Sequence, residues 1–75
     1  MNISNEEKIN MAQDTIRMFE LHLYRQILTL GEDPDSFDYS KIENIIDPLD
    51  IDKYKGVTEL ISKIEKLKGI IESLS

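Results

Sequence analysis

Cysteine and tryptophan are absent from this sequence, histidine occurs once, proline twice and glycine three times. Without cysteine no disulfide can staple the chain, and one histidine with no thiol leaves a zinc site short of its usual ligands. Scattered glycines supply no phosphate-cradling loop, and the single histidine supplies neither a paired metal ligand nor a nucleophile–base relay. The expectation is a protein that is not an enzyme and holds no metal or cofactor. No apolar run exceeds two residues, Ile27-Leu28 being one such pair, which argues against a transmembrane span and a membrane partner. The start Met1-Asn2-Ile3-Ser4-Asn5-Glu6-Glu7 lacks the basic and apolar regions of a signal peptide, so a cytoplasmic location is expected.

What is present is a 75-residue chain, 40% hydrophobic, with twelve isoleucines against a single alanine, Ala12. A chain of this length makes one domain, residues 1–75. Folding at this size buries only about 60% of the surface that the unfolded chain exposes, so the core is marginal. With disulfides and structural metal set aside, oligomerisation is the remaining common supplement.

The net charge of −6 is unevenly distributed. Residues 1–31 carry a balance of −1, residues 32–52 carry −7, and residues 53–75 carry +2. An acidic middle repels phosphate backbones, and no Lys/Arg stripe with interleaved aromatics occurs, which argues against direct nucleic-acid binding. Glu32, Asp33, Asp35 and Asp38 have two readings: a solvated loop that keeps the protein soluble, or a contact patch for a basic protein partner.

Periodicity predicts an all-α fold. Ser4-Asn5-Glu6-Glu7 has the spacing in which a serine and a glutamate cap each other's amides, and it opens a helix over about residues 4–30. Gly31 supplies a left-handed stop, with Pro34 behind it. Residues 31–40 form a turn-rich acidic loop pinned by Phe37 and Tyr39. A second capping spacing, Ser40-Lys41-Ile42-Glu43, starts a short helix over about 41–47 with Ile42, Ile45, Ile46 and Leu49 on one face. Asp47-Pro48 either ends that helix or caps the next one, and both options stay open. Val57, Leu60, Ile64, Leu67, Ile71 and Leu74 form an unbroken heptad seam on a last helix over about 53–74. Glu59 with Lys63, and Lys68 with Glu72, sit four apart as ion-pair partners on its wet faces. The architecture expected is an antiparallel hairpin of two long helices, the short helix lying across its open side, assembled as a helical-bundle homo-oligomer.

The oligomer expectation rests on the segment from Met18 to Leu30. At about 100° per residue, Phe19, Leu30, Leu23 and Ile27 line one side, and Tyr24, Leu28 and Leu21 widen the apolar arc to roughly 200°. Only His22, Arg25, Gln26 and Thr29 make a polar stripe. One partner helix cannot cover an arc so wide, and an uncovered apolar strip marks an interface. Phe19, Leu21, Leu23, Tyr24, Ile27 and Leu28 are therefore the candidate oligomer-interface residues, in a dimer or a higher assembly. Glu20 falls inside this arc, so it either reaches solvent at a rim or pairs with Arg17 or Arg25 across the interface.

Arg17, His22 and Arg25 are candidate contacts for a small anion, although a lone histidine on a wet helix face is more often inert. A calcium loop fails on spacing. Counting from Asp33, the positions that need glycine and glutamate hold Asp38 and Asn44, and counting from Asp50 they hold Lys55 and Ile61. The functional expectation is a non-catalytic, acidic, homo-oligomeric regulator or inhibitor of a protein partner. Two alternatives stand beside it: an oligomeric sequesterer of a small anion such as a nucleotide, and an acidic nucleic-acid mimic that blocks a basic groove.

Overall fold

The computed structural model describes residues 2–75, all helix and connection. Helix α1 spans Asn5–Thr29, α2 Ser40–Glu43, α3 Pro48–Lys53 and α4 Lys55–Leu74. The two long helices pack against each other, with the short ones between them in the chain. Lys63 of α4 lies over the Phe19 ring and Gly56 lies beside Gln26, so α4 runs back along α1 in the opposite direction. The molecule is a rod of 46 × 21 × 21 Å.

Both ends of α1 follow from local chemistry. The Ser4 hydroxyl accepts from the Glu7 amide at 3.1 Å, satisfying one of the orphan donors of the first turn. At the other end Gly31 takes φ 82°, the left-handed conformation that costs a glycine least. The Glu32 amide then donates to the Ile27 carbonyl at 3.2 Å and the Gly31 amide to Leu28 at 2.9 Å, the paired closure of a Schellman stop.

The middle of the chain differs from expectation in two ways and decides a third point that the sequence leaves open. First, the short helix is a single turn that ends at Glu43, not at 47. Second, Ser40 does not cap it. The Ser40 amide and hydroxyl both donate to Asp38 Oδ1, at 3.0 and 2.6 Å, so the hydroxyl is already engaged upstream. Third, Asp47 is extended at ψ 123° and its carboxylate accepts from the Leu49 amide at 2.9 Å, with Pro48 at the first helical position. Asp47-Pro48 therefore starts a helix, α3. Tyr54 separates α3 from α4; its amide closes α3 on Asp50 and its carbonyl accepts from Thr58 in the first turn of α4.

The core gathers at the connection end of the hairpin. Leu23, Ile27, Phe37, Tyr54, Val57 and Ile64 form one buried cluster, and Ile27 and Val57 have almost no surface left in water. Burying side chains of this size contributes about 1.5–3 kcal/mol each. Ile16, Phe19, Leu30, Ile42, Ile45, Leu60 and Ile61 pack around it. Towards the free end Ala12 alone among the described residues is buried, and Leu67, Ile71 and Leu74 are half-buried. Among the described residues the one ion pair within 4.0 Å joins Lys41 to Glu32, so the expected partners Glu59–Lys63 and Lys68–Glu72 stand apart.

Candidate functional site

The apolar arc of α1 is divided by the fold. Leu23 and Ile27 face α4 and the connection and lie inside the chain's own core, with Phe19 packed beside them. Their side chains are engaged within the chain, because α4 presents Val57 and Ile64 and the loop folds Phe37 in from the side. Leu21, Tyr24 and Leu28 point away and stay in solvent, Leu21 at 50% and Leu28 at 60% exposure. Met18 and Met11 continue the strip towards the N-terminus, with Met11 at 58%. A shallow groove of about 330 Å³ runs along this outer face between Met18, Leu21, His22, Tyr24, Arg25 and Leu28. The two methionines escape a search for strong hydrophobes; their seven-residue spacing, with Leu21 and Leu28 seven apart beside them, is the signal that finds them.

A second apolar surface lies where sequence reasoning had placed core. Ile42 and Ile45 do pack on the hairpin, but Ile46 is 89% exposed and Leu49 80%. The cause is the break at Asn44–Asp47: once α2 stops, the three-four rhythm no longer keeps these four side chains on one face. Ile51 is exposed on α3 as well, and Asp47, Asp50 and Asp52 stand beside these residues in sequence. The corner is thus apolar and predominantly acidic, with Lys53 at the end of α3.

The loop acids have local partners. Asp33 Oδ1 accepts from the Asp35 amide at 2.9 Å, and Asp38 is held by Ser40; both are turn-forming contacts. The Ser40 hydroxyl, then the Ser40 amide, lowers the Asp38 carboxyl below its usual value. Glu32 bonds Lys41 and takes a donation from the Tyr54 hydroxyl at 3.3 Å. Lys41 also lies 4.9 Å from the Phe37 ring centre and 5.6 Å from that of Tyr54, clasping loop, α2 and the α3–α4 joint together. Its donation lowers the Glu32 carboxyl, and the same contact raises the Lys41 ammonium. Of the four loop acids, Asp35 is exposed with only its backbone amide engaged.

His22 and Arg25 share a polar cleft of about 290 Å³ with Gln26, Lys63 and Glu59, between α1 and α4. Arg17 does not line it, and Glu59 puts a carboxylate into it, so a single chain does not gather the three candidate anion contacts. Gly56 sits at this cleft because Gln26 Oε1 lies 3.0 Å from where a Cβ would stand. Glu20 reaches another cleft, about 420 Å³, whose apolar floor of Leu23, Ile61 and Ile64 is edged by Glu43, Glu65 and Lys68. Tyr39 lines it too, and burial, followed by the nearby Tyr24, Asp35 and Glu20, raises its phenol. Among the described residues no cluster of acids or histidine has metal-holding geometry, and no helix is long and apolar enough to cross a membrane.

No family model matches the chain, and no curated protein or solved structure does either.

Proposed function

We propose that this chain acts by binding, as a small, acidic, non-catalytic helical protein that self-associates and regulates or inhibits a protein partner. One observation carries the reading: the folded chain keeps two separate apolar surfaces in water. The outer face of α1 carries Met18, Leu21 and Leu28; the α2–α3 corner carries Ile46 and Leu49. Large exposed apolar patches on a small domain are interaction sites more often than ornament. The first surface has both charge signs nearby, in Asp14, Arg17 and Arg25, and suits a copy of itself. The second is edged by Asp47, Asp50 and Asp52, and suits a partner with a basic rim and an apolar centre.

The test separates the two surfaces. Cross-linking of the full chain in extract of its source cells, followed by mass spectrometry, is expected to capture a protein with a basic contact surface. Ile46→Asp should abolish that capture while leaving the oligomeric state of the free protein unchanged. Capture that survives Ile46→Asp and Leu49→Asp together, with both variants folded, contradicts the assignment of the corner to a partner.

A further inference from the structure

Resting on the self-association just proposed, the geometry points to its form: we infer that two copies pair along α1, antiparallel and about a two-fold axis, in a register set by Asp14 and Arg25. The outer face of α1 has the heptad layout of a helix-pairing seam. Met11, Met18 and Arg25 repeat at seven residues in one row, and Asp14, Leu21 and Leu28 repeat at seven in the row beside it. Both rows are exposed along their whole length on the folded chain, and the face opposite them is occupied by α4. From Met11 to Leu28 the strip is about 26 Å long at 1.5 Å per residue, enough for a specific helix pair.

An antiparallel pair sets the first row of one copy against the second row of the other. In one register every layer is complementary. Met11 meets Leu28 of the second copy, Asp14 meets Arg25, Met18 meets Leu21, and the two-fold repeats all three. Beside the seam, Arg17 comes over the face of Tyr24 of the second copy, a cation against an aromatic ring. Neither Asp14 nor Arg25 has an ion-pair partner in its own chain among the described residues, so both are open to a partner from outside.

The competing arrangements fail on charge. A parallel pair puts Asp14 against Asp14 and Arg25 against Arg25. An antiparallel pair centred on Leu21 sets Arg17 against Arg25. Slipping the favoured register by one heptad in one direction sets Arg25 on Leu21, and in the other sets Asp14 on Met18, which buries a charge against an apolar side chain. The occupant of this face is therefore a second copy of this chain. The acidic corner carries no base within α3 except Lys53 and cannot complement itself in this way.

The experiment uses the full chain and charge reversal, read by analytical ultracentrifugation, with circular dichroism to establish that each variant is helical. The parent is expected to be a reversible dimer. Asp14→Arg and Arg25→Asp should each weaken it about tenfold or more, since each places like charges in two layers. Mixed together, the two single variants should form a heterodimer, because every charged layer is then complementary. The double variant Asp14→Arg/Arg25→Asp should dimerise about as well as the parent. A parent dimer whose single variants are undiminished, or whose mixture fails to recover, overturns the register and leaves self-association standing. A parent that stays monomeric overturns both.

Discussion

The outer face of α1 and the α2–α3 corner are both apolar surfaces left in water, yet they are built on opposite terms. The α1 face lies on a 25-residue helix with a capped start and a hydrogen-bonded stop, so the spacing of its side chains is set by a continuous helical backbone before any partner arrives. The corner is made from a four-residue and a six-residue helix joined by an irregular turn, with Ile46 and Leu49 nearly free of contacts. Preorganisation lowers the cost of binding, and mixed charge allows a surface to meet its own copy. A short, predominantly acidic surface repels its copy and adapts to something else. The lesson is that exposure alone does not say what covers a surface; rigidity and charge pattern do.

Both surfaces rest on one core, and emptying it is the largest perturbation. Ile27→Ala empties the most buried position of the core, next to Val57, and should cost about 2–5 kcal/mol. In a fold this small that approaches the whole stability, so urea denaturation should show loss of cooperative unfolding and both surfaces should vanish together. A variant with unchanged denaturation would mean that the core at the connection end does not hold the hairpin.

Next in size is a change confined to one face. Leu21→Asp puts a charge into the centre of the α1 strip and removes burial of about 1.5–3 kcal/mol per copy, so the dimer should weaken by about a hundredfold or more. Helicity and melting of the monomer should barely move, since Leu21 is half exposed and lies outside the buried cluster. The mirror control is Ile46→Asp, for which sedimentation should be indistinguishable from the parent. If Ile46→Asp weakens self-association and Leu21→Asp does not, the two surfaces have been assigned the wrong way round.

Much of this division was legible before the fold was known, and its limits have physical causes. The long helices follow from Ser4, Gly31 and the seam from Val57 to Leu74, because caps and periodicity are local. The width of the α1 arc signals that something extra must cover it, but periodicity alone does not say which side turns inward. That choice falls to Phe37 and Tyr54, which come from the connection and close over Leu23 and Ile27. The spacing of Ile46 and Leu49 fits one continuous helix face, and the chain interrupts that helix at Asn44, so periodicity alone puts on the hairpin two side chains that the fold leaves in solvent. Asp47-Pro48 supports two structures with the same residues, and only the partner of the Asp47 carboxylate, the Leu49 amide, decides between them.

A smaller effect sharpens the contrast in rigidity. Asp47→Ala removes the cap of α3 and should cost about 1 kcal/mol. Its signature is local: hydrogen exchange should accelerate in 48–53, with α1 unchanged. Equal acceleration in both regions would contradict the idea that the corner is a separable, soft element.

The smallest expected effect concerns the clasp that ties the acidic loop to this corner. Glu32 lies below its ordinary value of 4.5 because Lys41 donates to it, so its contribution to stability is present above that value and fades as pH falls through its lowered range. Glu32→Gln should therefore be slightly less stable than the parent at neutral pH and should converge with it in acid. Urea melts across a pH series read this directly, and a gap that stays constant into strong acid would remove the ion pair from the account.

Cover of the outer face of α1 by a second copy is the property from which the other expectations follow. Sedimentation equilibrium of the unmodified full chain across the micromolar to millimolar range tests it most directly. The expected result is a reversible monomer–dimer equilibrium that Leu21→Asp shifts to monomer; a single species of monomer mass at every concentration would contradict it.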